Sequence, residues 1–215
     1  MKTSIRMHEL RTVFPAGSAQ LMRVQIARLS VLYEDLRIEL YALREDSLPT
    51  LDVTDPRYRV NYFLRRAIAT LVEFAEAVRL LSELDDFQHF VRSVDAPLRN
   101  YWSNGSAYFK LNERFLESIR NDIGGHFGSK AATYALENLS TDAVGRMEFR
   151  RAGKEQTMHL HFAGELVATA MLRHLEGEGV EDRFHQITQV SLEGFRQATL
   201  CVQFVAIGYL WDRFG

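Results

Sequence analysis

Apolar residues recur at alternating spacings of three and four along two long stretches, a pattern typical of amphipathic helices. The first stretch follows the turn sequence Phe14-Pro15-Ala16-Gly17 and ends before Pro49. Its apolar positions are Met22, Ile26, Leu29, Tyr33, Leu36, Leu40 and Leu43. The second begins at Asp55-Pro56, an N-cap residue with proline at the first helical position. Its apolar positions are Val60, Leu64, Ala67, Leu71, Phe74, Val78 and Leu81. Because the connecting loop is short, we expect the two helices to pack antiparallel as a helical hairpin.

Helical patterns continue beyond this hairpin, with breaks marked by proline and glycine. A shorter helix interrupted near Pro97 is predicted, and Asn104-Gly105-Ser106 is predicted to be a loop. A helix is then expected from Tyr108 to about Ile123. Its inward-facing positions are predicted to be Leu111, Phe115 and Ile119. A short helix over residues 130–138 follows.

After residue 140 the spacing of apolar residues changes from a helical pattern to strand-like alternation. Residues 144–151 and 155–162 alternate polar and apolar side chains, and Ala152-Gly153-Lys154 lies between them. Alternation of this kind around a short glycine-containing turn predicts a β-hairpin. The face expected to be buried carries Met158, Leu160 and Phe162.

Helix is expected again at both ends of the remaining segment. One helix is predicted over residues 164–175 and a last one over 181–213, with a break at Gly194. Since the end of this last helix is apolar nearly all round, we expect it to be buried in the core or against a second subunit. The predicted fold is therefore mainly α, a helical bundle around a long antiparallel helical hairpin, with a β-hairpin inserted near residues 144–162. We expect one compact domain over residues 1–215, in which 18–138 form the bundle and 140–215 an addition.

Composition narrows the class of protein. The chain has 215 residues, of which 47% are hydrophobic and 25% charged, as in ordinary globular proteins. A formal net charge of −2 does not indicate bulk electrostatic attraction to nucleic acid, so an anion site has to be a local patch. The single cysteine, Cys201, excludes an internal disulfide, and its apolar surroundings predict a buried thiol. The apolar segment Ala198–Trp211 is too short to cross a bilayer and no signal peptide is visible, so we expect a cytoplasmic protein without a membrane partner.

A fixed cation, a group that titrates near neutral pH and two adjacent glycines occur together in one segment of seven residues. This segment is Arg120-Asn121-Asp122-Ile123-Gly124-Gly125-His126. In a straight helix Arg120 and His126 would lie about 240° apart around the axis. Gly124-Gly125 permits a kink or a helix end that returns His126 towards Arg120. A guanidinium is a permanent forked donor to oxyanions, and imidazole transfers protons near neutral pH. This combination suits a phosphate group.

The same residues resemble the motif of the HEPN superfamily, small all-helical proteins that include many prokaryotic RNases, toxins and phage-defence factors. Members carry an arginine followed by Asn, Asp or His and, after about four to six residues, a histidine. Here Arg120, Asn121 and His126 match this pattern, and the helical hairpin upstream fits as well. The resemblance covers roughly residues 18–138 and does not extend to the β-hairpin or the helices after it.

The resemblance implies metal-independent RNA cleavage, without a cofactor, in a site shared across a homodimer. Arg120 would stabilise the charge on the phosphate, His126 would transfer a proton and Asn121 would support them. It also implies RNA as a partner, with an antitoxin or regulatory protein as a further one. Many superfamily members bind without cleaving, so a non-catalytic module that binds RNA, a nucleotide or a partner protein remains the alternative. A purely structural interpretation also stays open, because a cation and glycines suit any helix carboxyl end.

Two further groups of residues are candidates for binding. His159 and His161 lie two apart on a predicted strand and so share a face, and Glu165 follows, which is a weak metal-site pattern. The alternative is that both histidines simply occupy the exposed face. The start of the second helix carries Arg57, Arg59, Arg65 and Arg66, interleaved with Tyr58 and Tyr62. Arginine next to aromatic rings can engage a single-stranded nucleic acid, although a solvated helix face is the commoner role.

Overall fold

The computed structural model describes residues 21–43, 56–121, 127–141, 143–144, 147–152, 155–160, 162–175 and 180–211. Within these ranges the protein is mainly helical. The helices are α1 (Leu21–Tyr41), α2 (Pro56–Ser82), α3 (Asp85–Ser93), α4 (Ala96–Ile119), α5 (Ser129–Glu137), α6 (Phe162–Met171) and α7 (Val180–Phe204). Two strands, β1 (Met147–Ala152) and β2 (Glu155–Leu160), lie between α5 and α6. A 3-10 turn over Leu172–His174 follows α6, and α7 continues as π-helical turns over Val205–Trp211.

The chain forms two compact units. The first takes its described residues from Met1–Tyr33, Phe74–Leu111 and Arg196–Gly215, and the second from Glu34–Glu73 and Asn112–Phe195. The boundaries fall inside helices, so that α1, α2, α4 and α7 each contribute residues to both units. None of the helices in the described ranges combines the length and the apolar character that crossing a bilayer requires.

The predicted apolar faces of α1 and α2 are largely confirmed. Among the predicted positions, those that are buried are Met22, Ile26, Leu29, Leu36, Leu64, Ala67, Leu71, Phe74, Val78 and Leu81. In the first unit Arg28 of α1 pairs with Glu76 of α2 at 2.7 Å. In the second unit Glu39 of α1 meets Thr70 and Arg66 of α2. The contacts thus run in opposite order along the two helices, as expected of an antiparallel pair.

Aromatic side chains fill the core of the first unit. Phe87 of α3 lies 4.6 Å from Trp102 of α4, ring centroid to ring centroid, and Phe204 of α7 packs against both. Phe90 contacts Phe204 and Tyr209. The end of the last helix is therefore buried in the core of its own chain, as its apolar character predicts. Cys201 is also buried, as expected.

The loop predicted at Asn104-Gly105-Ser106 is wrong, because α4 runs through it without a break. Gly105 is buried where α4 meets α7: a Cβ added there would collide with Cys201 Sγ and lie 3.0 Å from the Gln197 carbonyl oxygen. Glycine here permits a close helix approach rather than a turn. With α4 continuous, its inner face is set by Trp102 and Phe109, and the expectation that Leu111 faces inward is wrong as well, since it is 85% exposed.

The same explanation applies to Gly194, where α7 was expected to break but continues. A Cβ there would lie 2.9 Å from Leu71 Cδ1, so this glycine lets α7 approach α2 closely within the second unit. In the same unit Asn61 Nδ2 donates a 3.1 Å hydrogen bond to the Gly164 carbonyl oxygen, which connects α2 to α6. Close backbone approaches therefore account for both misplaced helix breaks.

The strands β1 and β2 form an antiparallel pair in which Met147 faces Leu160 and Phe149 faces Met158. The predicted burial of Met158, Leu160 and Phe162 is wrong: all three are exposed. Alternation along a strand predicts that one face is apolar, but it does not identify what covers that face.

Candidate functional site

Arg120 lies where α4 ends. Ile119 is the last α-helical residue and is buried, and Arg120 with Asn121 forms a wider, π-helical turn directly after it. The guanidinium folds back on its neighbour, since Nε and Nη2 of Arg120 donate to Asn121 Oδ1 over 3.3 and 3.2 Å. Two of the five guanidinium N–H groups are thus directed to one carbonyl oxygen. This contact restrains a long side chain that is otherwise half-exposed.

A carboxylate lies on the other side of the guanidinium. Nη1 of Arg120 is 3.9 Å from Oε1 of Glu73, which belongs to α2. The distance is too long for a hydrogen bond, and both side chains are partly exposed, so the attraction is weak and sensitive to salt. Glu73 was not a candidate from the sequence, because the pattern of apolar residues does not reveal which helix α4 ends against.

The third residue of the motif lies outside the described residues. That residue is His126, and all of residues 122–126, including Gly124 and Gly125, lie outside the described part. The structure therefore brings together Arg120 and Asn121, and adds Glu73 to them. The predicted proximity of Arg120 and His126 stays a prediction.

The four arginines of α2 differ in their surroundings. Arg66 Nε lies 3.4 Å from Glu39 Oε1, and the guanidinium of Arg65 lies over the ring of Tyr62, 5.9 Å from its centroid. Arg59 is half-buried, and the side chain of Arg57 lies outside the described part. At least Arg66 already faces a carboxylate, so an anion at this position would have to compete with Glu39.

Glu39 is a buried carboxylate that the sequence pattern does not single out. It is 7% exposed, and its Oε1 accepts a 3.1 Å hydrogen bond from Thr70 Oγ1. Its Oε2 is buried without a hydrogen-bond partner among the described residues. Burial raises the pKa of Glu39, and the Thr70 hydrogen bond and the charge of Arg66 oppose that rise. The one feature of the sequence that could have indicated a buried carboxylate is the acidic residue Glu39 at an inward position of α1.

The proposed metal ligands are only partly described. His159 lies in β2 opposite Glu148, but the side chain of His159 and the whole of His161 lie outside the described part. Glu165 is half-buried in the first turn of α6. Among the described residues, no group of three histidine, cysteine or acidic side chains is arranged to hold a metal ion. The metal-site interpretation thus gains no further ligand from the described side chains.

Comparisons with known proteins add no assignment to this geometry. No protein-family model, curated protein or solved structure matches the chain at a significant level.

Proposed function

We propose that the protein is a HEPN-like, metal-independent endoribonuclease with its site at the carboxyl end of α4. The observation that supports this is the contact of Arg120 with Asn121. It holds a guanidinium at a half-exposed helix end and leaves further N–H donors for a phosphate. The arginine and the polar residue after it are the first two positions of the motif. The toxin or phage-defence setting is part of the same proposal and rests on the family resemblance alone.

In this proposal the reaction is an internal transfer at phosphorus. The ribose 2′-hydroxyl attacks the adjacent phosphorus, the bond from phosphorus to the 5′ oxygen breaks, and a 2′,3′-cyclic phosphate and a 5′-hydroxyl remain. His126 takes the proton from the 2′-hydroxyl or supplies one to the departing oxygen. Arg120 stabilises the additional negative charge at phosphorus. Asn121 fixes the orientation of Arg120, and a second copy of the chain supplies a further set of these groups.

The second candidate is a non-catalytic module that binds RNA, a nucleotide or a partner protein. The observation that favours it is the approach of Glu73 to Arg120. A nearby carboxylate lowers the affinity of an arginine for phosphate, and it supplies the acceptor expected if Arg120 has a structural role. In this alternative an antitoxin or regulatory protein takes the place of the substrate.

The test is RNA cleavage by the wild type and by His126→Ala and Arg120→Gln variants, with a chelator present throughout. We expect the wild type alone to cleave and to leave cyclic-phosphate ends. Arg79→Gln is a matched control, because Arg79 is an exposed arginine of the first unit that pairs with Glu83 and is not part of the motif. Equal cleavage by wild type and His126→Ala would overturn the nuclease proposal. No cleavage, combined with RNA binding that depends on Arg120, would favour the binding module.

A further inference from the structure

A groove lies between the second half of α4 and the first half of α7, within the second unit. Its volume is about 350 Å³. Sites that hold a small molecule usually measure about 300–1,000 Å³. The described side chains that line it are Asn112 and Phe115 of α4 and His185, Gln186, Gln189 and Val190 of α7. We call it the amide groove, because three of these side chains are amides.

The amide groove combines an aromatic ring with groups that form hydrogen bonds. Phe115 is half-buried, whereas His185 and Gln189 are exposed. A side-chain amide presents donors and an acceptor next to each other. Among the described residues that line the groove there is no aspartate, glutamate, lysine or arginine. The groove therefore suits a flat, uncharged group with a hydrogen-bonding edge, and it offers a phosphate no fixed positive charge.

A nucleobase has these properties. Every base has a π-face that stacks on an aromatic side chain. In single-stranded RNA, unstacked bases are bound on aromatic side chains, including Phe and His, and through hydrogen bonds to their edges. The amide of Asn or Gln forms paired hydrogen bonds with adenine in particular. A base that lies on Phe115 would have its edge near the amides and the imidazole of α7.

The amide groove is close to the motif along the same helix, but on another side of it. Phe115 precedes Arg120 by five residues. On a regular helix this separates the two residues by about 7.5 Å along the axis and about 140° around it. A helix with its side chains is about 10–12 Å across. A base in the groove would therefore belong to a neighbouring nucleotide of the strand and not to the nucleotide whose phosphate lies at Arg120.

We propose that the amide groove binds a nucleobase and, since this rests on the proposed function for its RNA, that the base belongs to the strand held at Arg120. Phe115 provides the stacking face, and Gln189 and His185 contact the edge of the base. Contacts to phosphate position a nucleic acid without distinguishing its sequence, whereas contacts to base edges distinguish it. Arg120 thus holds any strand, and the groove determines which base is preferred beside the site.

The test is the binding of four labelled hexamers, one for each base, whose 2′-O-methyl groups prevent cleavage. Fluorescence anisotropy at several salt concentrations gives the affinities. We expect the wild type to bind the adenine hexamer most tightly. Gln189→Ala and Phe115→Leu should each weaken this binding about fivefold or more and reduce the differences among the four bases. Gln203→Ala is the matched control, because Gln203 is an exposed glutamine of α7 that lies in the first unit.

Arg120→Gln, measured in parallel, separates this proposal from the proposed function. A phosphate contact should weaken all four hexamers alike and reduce the salt dependence, which the groove variants should leave unchanged. Circular dichroism checks folding. If Phe115→Leu does not fold, His185→Ala takes its place beside Gln189→Ala, since both of these positions are exposed.

Adenosine monophosphate is the second probe, because a free nucleotide offers the same base. If the groove variants weaken its binding but leave the hexamers unaffected, the groove holds a base and RNA is overturned as the source. An unchanged base preference in the folded groove variants overturns the groove, even where Arg120→Gln abolishes binding and so supports the motif. A wild type that binds neither probe overturns it as well. Base-dependent binding that the groove variants remove supports the groove, even if the wild type cleaves no RNA.

Discussion

Thr70 on α2 donates a 3.1 Å hydrogen bond to Glu39 on α1, a carboxylate that the surrounding helices almost completely bury. Burial disfavours the charged form and raises the pKa of Glu39 above its ordinary value of 4.5. The folded chain therefore holds this proton at pH values where the unfolded chain has lost it. The stabilising effect is complete below pH 4.5 and is lost as the pH rises through the raised pKa.

We predict that Glu39→Gln stabilises the protein at pH 8 and has little effect near pH 4. Glutamine can still accept the Thr70 hydrogen bond, it removes the buried charge, and the ion pair that it loses is with an exposed Arg66, which contributes little. We expect the free energy of unfolding at pH 8 to rise by about 1 kcal/mol, measured by urea unfolding.

The control is Arg66→Gln, which removes the favourable charge and should steepen the loss of stability with rising pH. Parallel pH profiles for Glu39→Gln and the wild type would contradict this account of the buried carboxylate.

Gly105 tests the close approach of α4 and α7. Alanine is the better helix former by about 1 kcal/mol, so propensity alone predicts that Gly105→Ala is stabilising. Its Cβ would, however, collide with Cys201 Sγ, and overpacking of a core costs about 1–3 kcal/mol. We predict a net loss in thermal and urea unfolding.

Two companion variants separate the collision from other effects. Gly128→Ala has open space around the new methyl group, so any loss that it causes comes from its N-cap position before α5 and not from a collision, and it should be smaller than the loss at Gly105. Combining Gly105→Ala with Cys201→Ala should recover part of the loss, because the sulfur is then absent. If the two changes add without coupling, the collision is not the cause.

These glycines also show how far the sequence alone could predict the fold. Periodicity located the helices and the inward positions of α1 and α2, because that signal is contained within each helix. It failed at Gly105 and Gly194, where a glycine can indicate either a helix break or a close approach. Only the identity of the neighbouring helix distinguishes the two.

The candidate site was predictable to the same extent. Arg120 and Asn121 are adjacent in the chain, so their contact follows from local geometry at a helix end. Glu73 lies 47 positions away, and Glu39 meets its partners through the packing of α1 against α2. Contacts between distant segments depend on tertiary packing, which periodicity does not specify.

Asn121 should act by positioning Arg120 rather than by contacting RNA. Under the proposed function, Asn121→Ala releases the guanidinium and lowers the rate of RNA cleavage by roughly 10- to 100-fold. Asn121→Asp still provides an oxygen for Nε and Nη2, so it should retain much more activity than the alanine variant. Initial rates at saturating RNA test this, since positioning affects turnover more than binding. Equal losses in both variants would indicate a different role for Asn121.

Glu73 should limit the affinity of Arg120 for phosphate. Glu73→Gln removes the one anion that the described residues place beside the guanidinium, so we expect RNA to bind several-fold more tightly, with the largest gain at low salt. Fluorescence anisotropy with a labelled RNA that lacks the attacking 2′-hydroxyl measures this without cleavage. Glu76→Gln is a matched control, because it removes the same charge from α2 at a residue that pairs with Arg28 instead. Equal gains in both variants would reflect net charge alone and would remove Glu73 from the site.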